Sequence, residues 1–244
     1  MSPDSAPVLA CSGISTSYGP VQVLFDVNLH VGEGETVGVC GPNGVGKTTL
    51  LRVLSGVQRA SGGEVRLGGN DITALSATRR VKLGLTTVVG QAAFGSLSVH
   101  ENLRAHGHAL GRERAELGDS IDAVFNIFPR LDERRDQPAA TLSGGERQML
   151  VLAKTLIQRP RVVLIDELSL GLAPVVVGGL LELIRRMASL GTSFVVVEQS
   201  VNVALSLVDR MYFMEKGAFI AEHTPAELKE QPGLVEKLML GGGH

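Results

Sequence analysis

The chain has 244 residues, of which 44% are hydrophobic and 20% charged, with a formal net charge of −2. That composition suffices for a packed core and excludes a disordered chain. The near-neutral charge gives no reason to expect nucleic acid or an acidic membrane surface as the main partner.

Met1 to Pro7 carries neither the basic segment nor the apolar stretch of a signal peptide. Val21 to Val31 and Glu35 to Cys40 read as strands, separated by the turn Gly32-Glu-Gly34. Lys47 to Val57 reads as a helix with Leu50, Leu51, Leu54 and Val57 on one face. Glycine pairs bracket a short strand from Glu64 to Leu67, so the early region reads as an antiparallel sheet. Val99 to Phe128 reads as helices without strand signal, and residues from about 92 to 158 are expected to form a helical subdomain. Glu146 to Gln158 is amphipathic and ends at Pro160. Val162 to Ile165 and Phe194 to Val197 are apolar without alternation, as parallel strands buried on both faces are. Between them Val175 to Leu190 reads as a helix weakened by Gly178-Gly179. Val201 to Leu207 reads as helix, Met211 to Met214 as strand, and Gly241 to His244 as a loose tail. This alternation predicts a doubly wound parallel sheet within one α/β domain spanning residues 1–244. No stretch approaches the ~20 apolar residues of a spanning helix. Cys11 and Cys40 read as buried or free thiols rather than a disulfide, as in a reducing compartment.

Three strings carry chemistry. Gly41-Pro-Asn-Gly-Val-Gly-Lys-Thr48 fits the phosphate-cradling P-loop, between an apolar strand and a helix. Gly44 and Gly46 let the backbone approach phosphate oxygens, Lys47 supplies a point charge, and Thr48 offers a hydroxyl to Mg²⁺. Leu142-Ser-Gly-Gly-Glu146 is a second glycine turn before a helix, able to present N–H groups to further phosphate oxygens. Val162 to Glu167 reads as an apolar strand ending in two carboxylates. Adjacent strand residues point to opposite sides, so one carboxylate serves the metal shell and the other orients or deprotonates water.

In their order these strings resemble the ATPase subunit of ABC transporters, over about residues 8 to 240. The resemblance implies a P-loop NTPase core with an N-terminal antiparallel β region and an inserted helical subdomain. It implies ATP and Mg²⁺ as ligands. Gly41, Asn43, Gly44, Gly46, Lys47, Thr48 and Thr49 then form Walker A, with Thr48 and Asp166 at the metal. Glu167 matches the catalytic carboxylate, and Tyr18 the aromatic that stacks on adenine. Leu142 to Glu146 match the signature motif, so Ser143, Gly144 and Gly145 contact the γ-phosphate held by the opposite subunit.

Phe128-Pro-Arg-Leu131, Ser169-Leu-Gly-Leu-Ala-Pro174 and Val197-Glu-Gln-Ser200 narrow the resemblance to the second ATPase subunit of branched-chain amino-acid importers, a group that includes urea and short-amide importers. There the switch histidine is commonly glutamine, matched by Gln199. The sequence also departs from the family. Val89 stands where a Q-loop Gln or Glu is expected. Gln91 either takes over its catalytic and metal role by a shift at Gly90 or faces solvent. Leu168 replaces the usual proline after the catalytic Glu, and Ala92-Ala93 replaces charged residues.

The expected function is ATP hydrolysis that energises an importer. Expected partners are transmembrane permease subunits, a second ATPase subunit or a second copy, and indirectly an external substrate-binding protein. The expected place is the cytoplasmic face of the plasma membrane. The alternative is a nucleotide-gated subunit with weak hydrolysis beside a paralogous ATPase. A soluble ABC protein acting on ribosomes or DNA fits less well, because this chain has neither two cassettes nor long coiled coils.

Overall fold

The computed structural model describes residues 6–88, 93–109, 114–167, 169, 172–231 and 233–240. They divide into two compact units. The first comprises Met1–Thr87, Arg161–Leu170 and Ala188–His244, and the second Val88–Pro160 and Gly171–Met187.

In chain order the elements begin with β1 (Leu9–Tyr18), β2 (Val21–Val31), β3 (Thr36–Cys40), α1 (Lys47–Leu54), β4 (Gly62–Leu67) and β5 (Asn70–Asp71). Next come α2 (Ala77–Lys82), β6 (Leu85–Val88), α3 (Val99–Ala109), α4 (Arg114–Ile127), α5 (Pro129–Asp132) and α6 (Gly144–Ile157). The chain continues through β7 (Val162–Asp166), α7 (Pro174–Ser189), β8 (Ser193–Glu198) and α8 (Val201–Leu205). It closes with β9 (Arg210–Glu215), β10 (Ala218–His223), α9 (Pro225–Glu230) and α10 (Leu234–Leu240).

One sheet has the order β2-β1-β4-β5, and its paired strands run antiparallel. The other has the order β10-β9-β3-β8-β7-β6. Within it β9, β3, β8 and β7 pair in parallel, and β10 returns antiparallel to β9. Every residue of β3 and β8 is buried, which is why their sequences lack alternation. Leu9, Ile14, Leu24, Leu50 and Leu54 join one core with Leu164 and Val195, so both sheets and α1 share it. Both cysteines are buried and free, as the sequence suggested.

The α1 stripe is shorter than expected. Leu50, Leu51 and Leu54 are buried, but Val57 is 69% exposed, because the helix stops at Leu54. Gly56 supplies the reason: it stands at φ 78°, its amide donates back to the Val53 carbonyl (3.1 Å), and the Val57 amide donates to that of Arg52 (2.9 Å). The Arg80 guanidinium donates in addition to the carbonyls of Val53 (2.8 Å), Leu54 (2.7 Å), Leu75 (3.1 Å) and Thr73 (2.8 Å). It thereby satisfies carbonyls that a helix end leaves open.

In the second unit α3 to α6 are helical, as read. Leu103, Leu117, Ile121, Val124, Phe125 and Phe128 are buried there, while Leu110 lies outside the described residues. In α6 the buried face runs through Leu150, Leu152, Ala153 and Ile157, leaving Met149 and Leu156 half-buried. The glycine pair does not interrupt α7, whose buried stripe is Val177, Leu180, Leu181, Ile184 and Met187.

Candidate nucleotide site

Three parallel strands of the first unit end level with one another. Cys40 of β3 pairs with Glu198 of β8, and Asp166 of β7 pairs with Val197. Gly41, Glu167 and Gln199 therefore all follow directly at one sheet edge, where ligands of open α/β sheets bind.

After β3 the backbone turns through Gly41 to Gly46 into α1. Asn43, Gly44 and Thr48 are exposed on this turn, whereas Gly46, Lys47 and Thr49 are buried. Gly44 has φ 83°, and a Cβ there would meet no described atom within 4 Å, so the turn faces open space at this point. A Cβ on Gly46 would stand 2.9 Å from Leu24, so that glycine is needed for packing. Lys47 is only 5% exposed, and its Nζ donates to the carbonyls of Gly41 (2.7 Å) and Pro42 (2.9 Å). Burial lowers its pKa, while Cys40, Glu167 and Asp166 act in the opposite sense. The ammonium is thus held at the loop with two carboxylates close enough to act on it.

Asp166 closes β7, half-buried, and its Oδ1 is buried without a hydrogen-bond partner. An orphaned carboxylate oxygen is an unmet demand for a cation or donor. With the Thr48 hydroxyl it fits Mg²⁺, which takes one or two protein oxygens and fills its shell with phosphate and water. Among the described residues no group of three or more His, Cys, Asp or Glu gathers for a metal, so a closed protein cage is not what this edge offers.

Glu167 differs from its sequence reading. The strand ends at Asp166, and Glu167 lies beyond it at φ 52°, a left-handed conformation rare for non-glycine residues. The two carboxylates are separated by this reversal rather than by strand alternation. Proline restricts the preceding residue to extended conformations. Leucine at 168 is therefore compatible with the Glu167 backbone as it stands.

Tyr18 ends β1 and is 41% exposed. A hydrogen bond from Arg52 holds its pKa below the usual value, and Thr49 contributes in the same sense. The residue lies beside the P-loop helix with part of its surface exposed. Gln199 is exposed immediately after β8. Val89 and Gln91 lie outside the described residues.

The second glycine turn belongs to the second unit and caps α6. Ser143 Oγ accepts from the Glu146 amide (3.3 Å), and the Ser143 amide donates to the Glu146 carboxylate (2.9 Å), a reciprocal capping box. Glu146 also pairs with Arg134 at 2.6 Å. Burial alone would raise its pKa, but the Ser143 bonds and Arg134 bring it below the usual value. This glutamate is committed to shaping the turn. The amides of Gly144 and Gly145 stand at the start of a 14-residue helix, an anion-attracting position.

Sequence reasoning passed over Glu198 and Ser169. The strand reading stopped at Val197, yet β8 continues through Glu198, which is 2% exposed. A charged residue closing an apolar run was the available signal.

The family model described as ABC transporter matches residues 24–169. The chain is 38% identical over 236 residues to the high-affinity branched-chain amino acid transport ATP-binding protein BraG of Pseudomonas aeruginosa, covering 96% of this chain and all of that one. It is 34% identical to a probable branched-chain amino acid transport ATP-binding protein LivF of Archaeoglobus fulgidus, over 93% and 96% of the two chains. Among solved structures, the ADP conformation of MJ1267, an ATP-binding cassette of an ABC transporter, superposes with a TM-score of 0.86 at 23% identity. It covers 95% of this chain and 98% of that one, and shows the shared fold. The chain belongs to the ABC transporter ATP-binding family, nucleotide-binding ATPases coupled to transport.

Proposed function

We propose that this protein is the ATP-hydrolysing subunit of an importer for branched-chain amino acids or a related small amide or amino compound. The observation that carries the substrate class is its full-length similarity to BraG. We read residues 1–244 as a single ATPase domain acting at the cytoplasmic membrane face against permease subunits, with an external binding protein supplying substrate. No helix of the described residues is long and apolar enough to cross a membrane, so the permease supplies the spanning part.

In this reading Lys47 leaves the carbonyls of Gly41 and Pro42 and binds the β- and γ-phosphates, while the loop amides around Gly44 surround the remaining oxygens. Tyr18 stacks on adenine. Thr48 and Asp166 hold Mg²⁺, which supplies charge neutralisation at the phosphates. Glu167 orients water and accepts its proton, and Gln199 hydrogen-bonds the γ-phosphate without carrying charge. Ser143, Gly144 and Gly145 approach the γ-phosphate of the opposite subunit, so catalysis rests on positioning and charge stabilisation.

The test is import of labelled leucine by cells in which the chain is deleted and then restored as wild type or Glu167→Gln. Restoration by wild type alone supports the reading. Unchanged leucine import after deletion, with loss of urea or amide import, moves the substrate class.

Val89 favours a second reading, in which hydrolysis is weak and a paralogous partner performs most turnover. Steady-state ATPase rates of the purified chain, alone and with its permease, separate the two. The Q-loop variants refine this. If Gln91 has taken over the metal-sensing role, Gln91→Ala lowers Mg²⁺-dependent hydrolysis and Val89→Gln adds little. A large gain from Val89→Gln with no effect of Gln91→Ala favours weak hydrolysis.

A further inference from the structure

A buried carboxyl with no part in the chemistry above stands at the end of β8. Glu198 is 2% exposed, and both of its oxygens are occupied by one residue. Oε1 accepts from the Ser169 amide at 3.0 Å, and Oε2 from the Ser169 hydroxyl at 2.9 Å. Two residues upstream, the Glu167 amide donates to the Val197 carbonyl at 2.9 Å. The segment bearing the general base is therefore tied to β8 on both sides of Leu168.

Between those ties Glu167 holds φ 52°. For a residue with a side chain such a backbone is strained and persists only where its surroundings enforce it. The ties to Val197 and Glu198 are that enforcement. Glu198 also reaches the phosphate loop, because its own carbonyl accepts the Cys40 thiol at 3.2 Å, one residue before Gly41. Gln199 follows it directly. One residue thus connects the strand before the P-loop, the switch position and the catalytic turn.

Burying a carboxylate against neutral donors is costly, and a glutamine could bridge the same gap with less desolvation. Burial raises the Glu198 pKa, the Ser169 bonds lower it, and the nearby Glu167 charge raises it further.

We propose that Glu198 is a positioning residue for ATP hydrolysis: through Ser169 it fixes the turn that carries Glu167 and links that turn to Gln199. This rests on the reading of Glu167 as general base. Because Gln199 follows Glu198 directly, the γ-phosphate contact proposed for Gln199 and the turn bearing Glu167 share one strand end. Misplacing a catalytic group by about 1 Å costs on the order of 10²-fold in rate, so the bonds matter more to turnover than to binding.

The test uses the full chain with steady-state ATPase kinetics, ATP affinity by calorimetry and thermal unfolding. Ser169→Ala removes the hydroxyl bond without disturbing packing, and Glu198→Ala removes both. Each is expected to lower kcat by about tenfold or more while KM for ATP stays within about twofold. Glu198→Gln can accept from the Ser169 amide with its oxygen and donate to the hydroxyl with its nitrogen. It is expected to restore kcat to within about threefold of wild type. If Glu198→Ala fails to fold, Ser169→Ala and Glu198→Gln decide. Wild-type kcat in Ser169→Ala overturns the proposal, as does a loss of kcat in Glu198→Gln equal to that in Ser169→Ala. Glu167→Gln assayed in parallel keeps the two readings apart. Normal turnover there removes the general-base assignment itself, whereas a dead Glu167→Gln beside an active Ser169→Ala removes only the positioning role.

Discussion

Lys47 commits its charge to the carbonyls of Gly41 and Pro42, which a phosphate displaces in the proposed reading. Removing a charged donor from a phosphate site is worth about 1.5–3 kcal/mol per bond, so Lys47→Ala is expected to weaken ATP binding about 10- to 100-fold. Calorimetry giving equal affinity for mutant and wild type would refute the assignment. Glu167→Gln keeps the shape of the side chain but loses its basicity. It is expected to retain ATP affinity and lose about 10²- to 10⁴-fold in turnover, read in a phosphate-release assay. Leu168 gives a third test. Proline at 168 would press Glu167 toward the extended region, away from its φ of 52°. Leu168→Pro is expected to destabilise the fold by about 1–3 kcal/mol, seen as a lowered midpoint in thermal unfolding. An unchanged or raised midpoint would show that Glu167 accepts the extended conformation without strain. At this scale the sequence disclosed side-chain chemistry but not backbone conformation. Asp166 and Glu167 were readable as a pair, yet nothing in two adjacent acidic letters announces a left-handed turn.

Strands buried on both faces declared themselves through unbroken apolar runs, as β7 and β8 do, and α1 through its leucine stripe. The strand β1 did not. Its polar small residues and its pairing irregularities between Cys11 and Ser17 hide the period-2 pattern. The end of α1 was legible in Gly56, which closes it at φ 78° two residues beyond Leu54. Distant partners were hidden: Arg80, 27 residues after Val53, donates to its carbonyl. A second distant tie involves Arg210 of β9, which pairs with Glu35 at 2.6 Å, with Glu222 of β10 at 2.6 Å, and with the His30 carbonyl of β2. Glu35 is 4% exposed. Burial would raise its pKa, but Arg210 and the Gly32 amide bring it below the usual 4.5. Because the folded value lies below the unfolded one, this pair adds stability above about pH 4.5 that is lost as pH falls through the folded value. Arg210→Ala strands a buried carboxylate and is expected to cost about 3–5 kcal/mol at neutral pH. Part of that difference from wild type should vanish in acid, where Glu35 protonates first in the variant and, once pH falls through its lowered folded value, in wild type as well. Denaturant unfolding followed from pH 7 down to below that value measures this. A pH-independent difference would mean that Arg210 acts by packing alone.

At the scale of the whole molecule, the two signature glycines separate what the fold needs from what the assembly needs. A Cβ on Gly145 would stand 2.2 Å from Val176 Cγ1, so that glycine is required by its own chain. Among the described residues a Cβ on Gly144 would meet only Leu172, at 3.7 Å, an ordinary contact. Among the described residues nothing crowds that position, and in the proposed reading its glycine admits the close approach of a phosphate from another subunit. Gly144→Asp is therefore expected to fold with a midpoint near that of wild type and to bind ATP at Lys47 with unchanged affinity, since it touches neither. What it should lose is the assembled state, because a carboxylate would face the γ-phosphate across the interface. The measurement is size-exclusion mass in ATP on the Glu167→Gln background, where hydrolysis no longer dissolves the complex. Glu167→Gln alone is expected to double its mass, and adding Gly144→Asp to return it to the monomer. If neither variant dimerises, the chain meets a paralogous partner rather than itself, and the same pair of variants tested with that partner carries the comparison. If both dimerise equally, the glycine turn does not face the nucleotide of the opposite subunit.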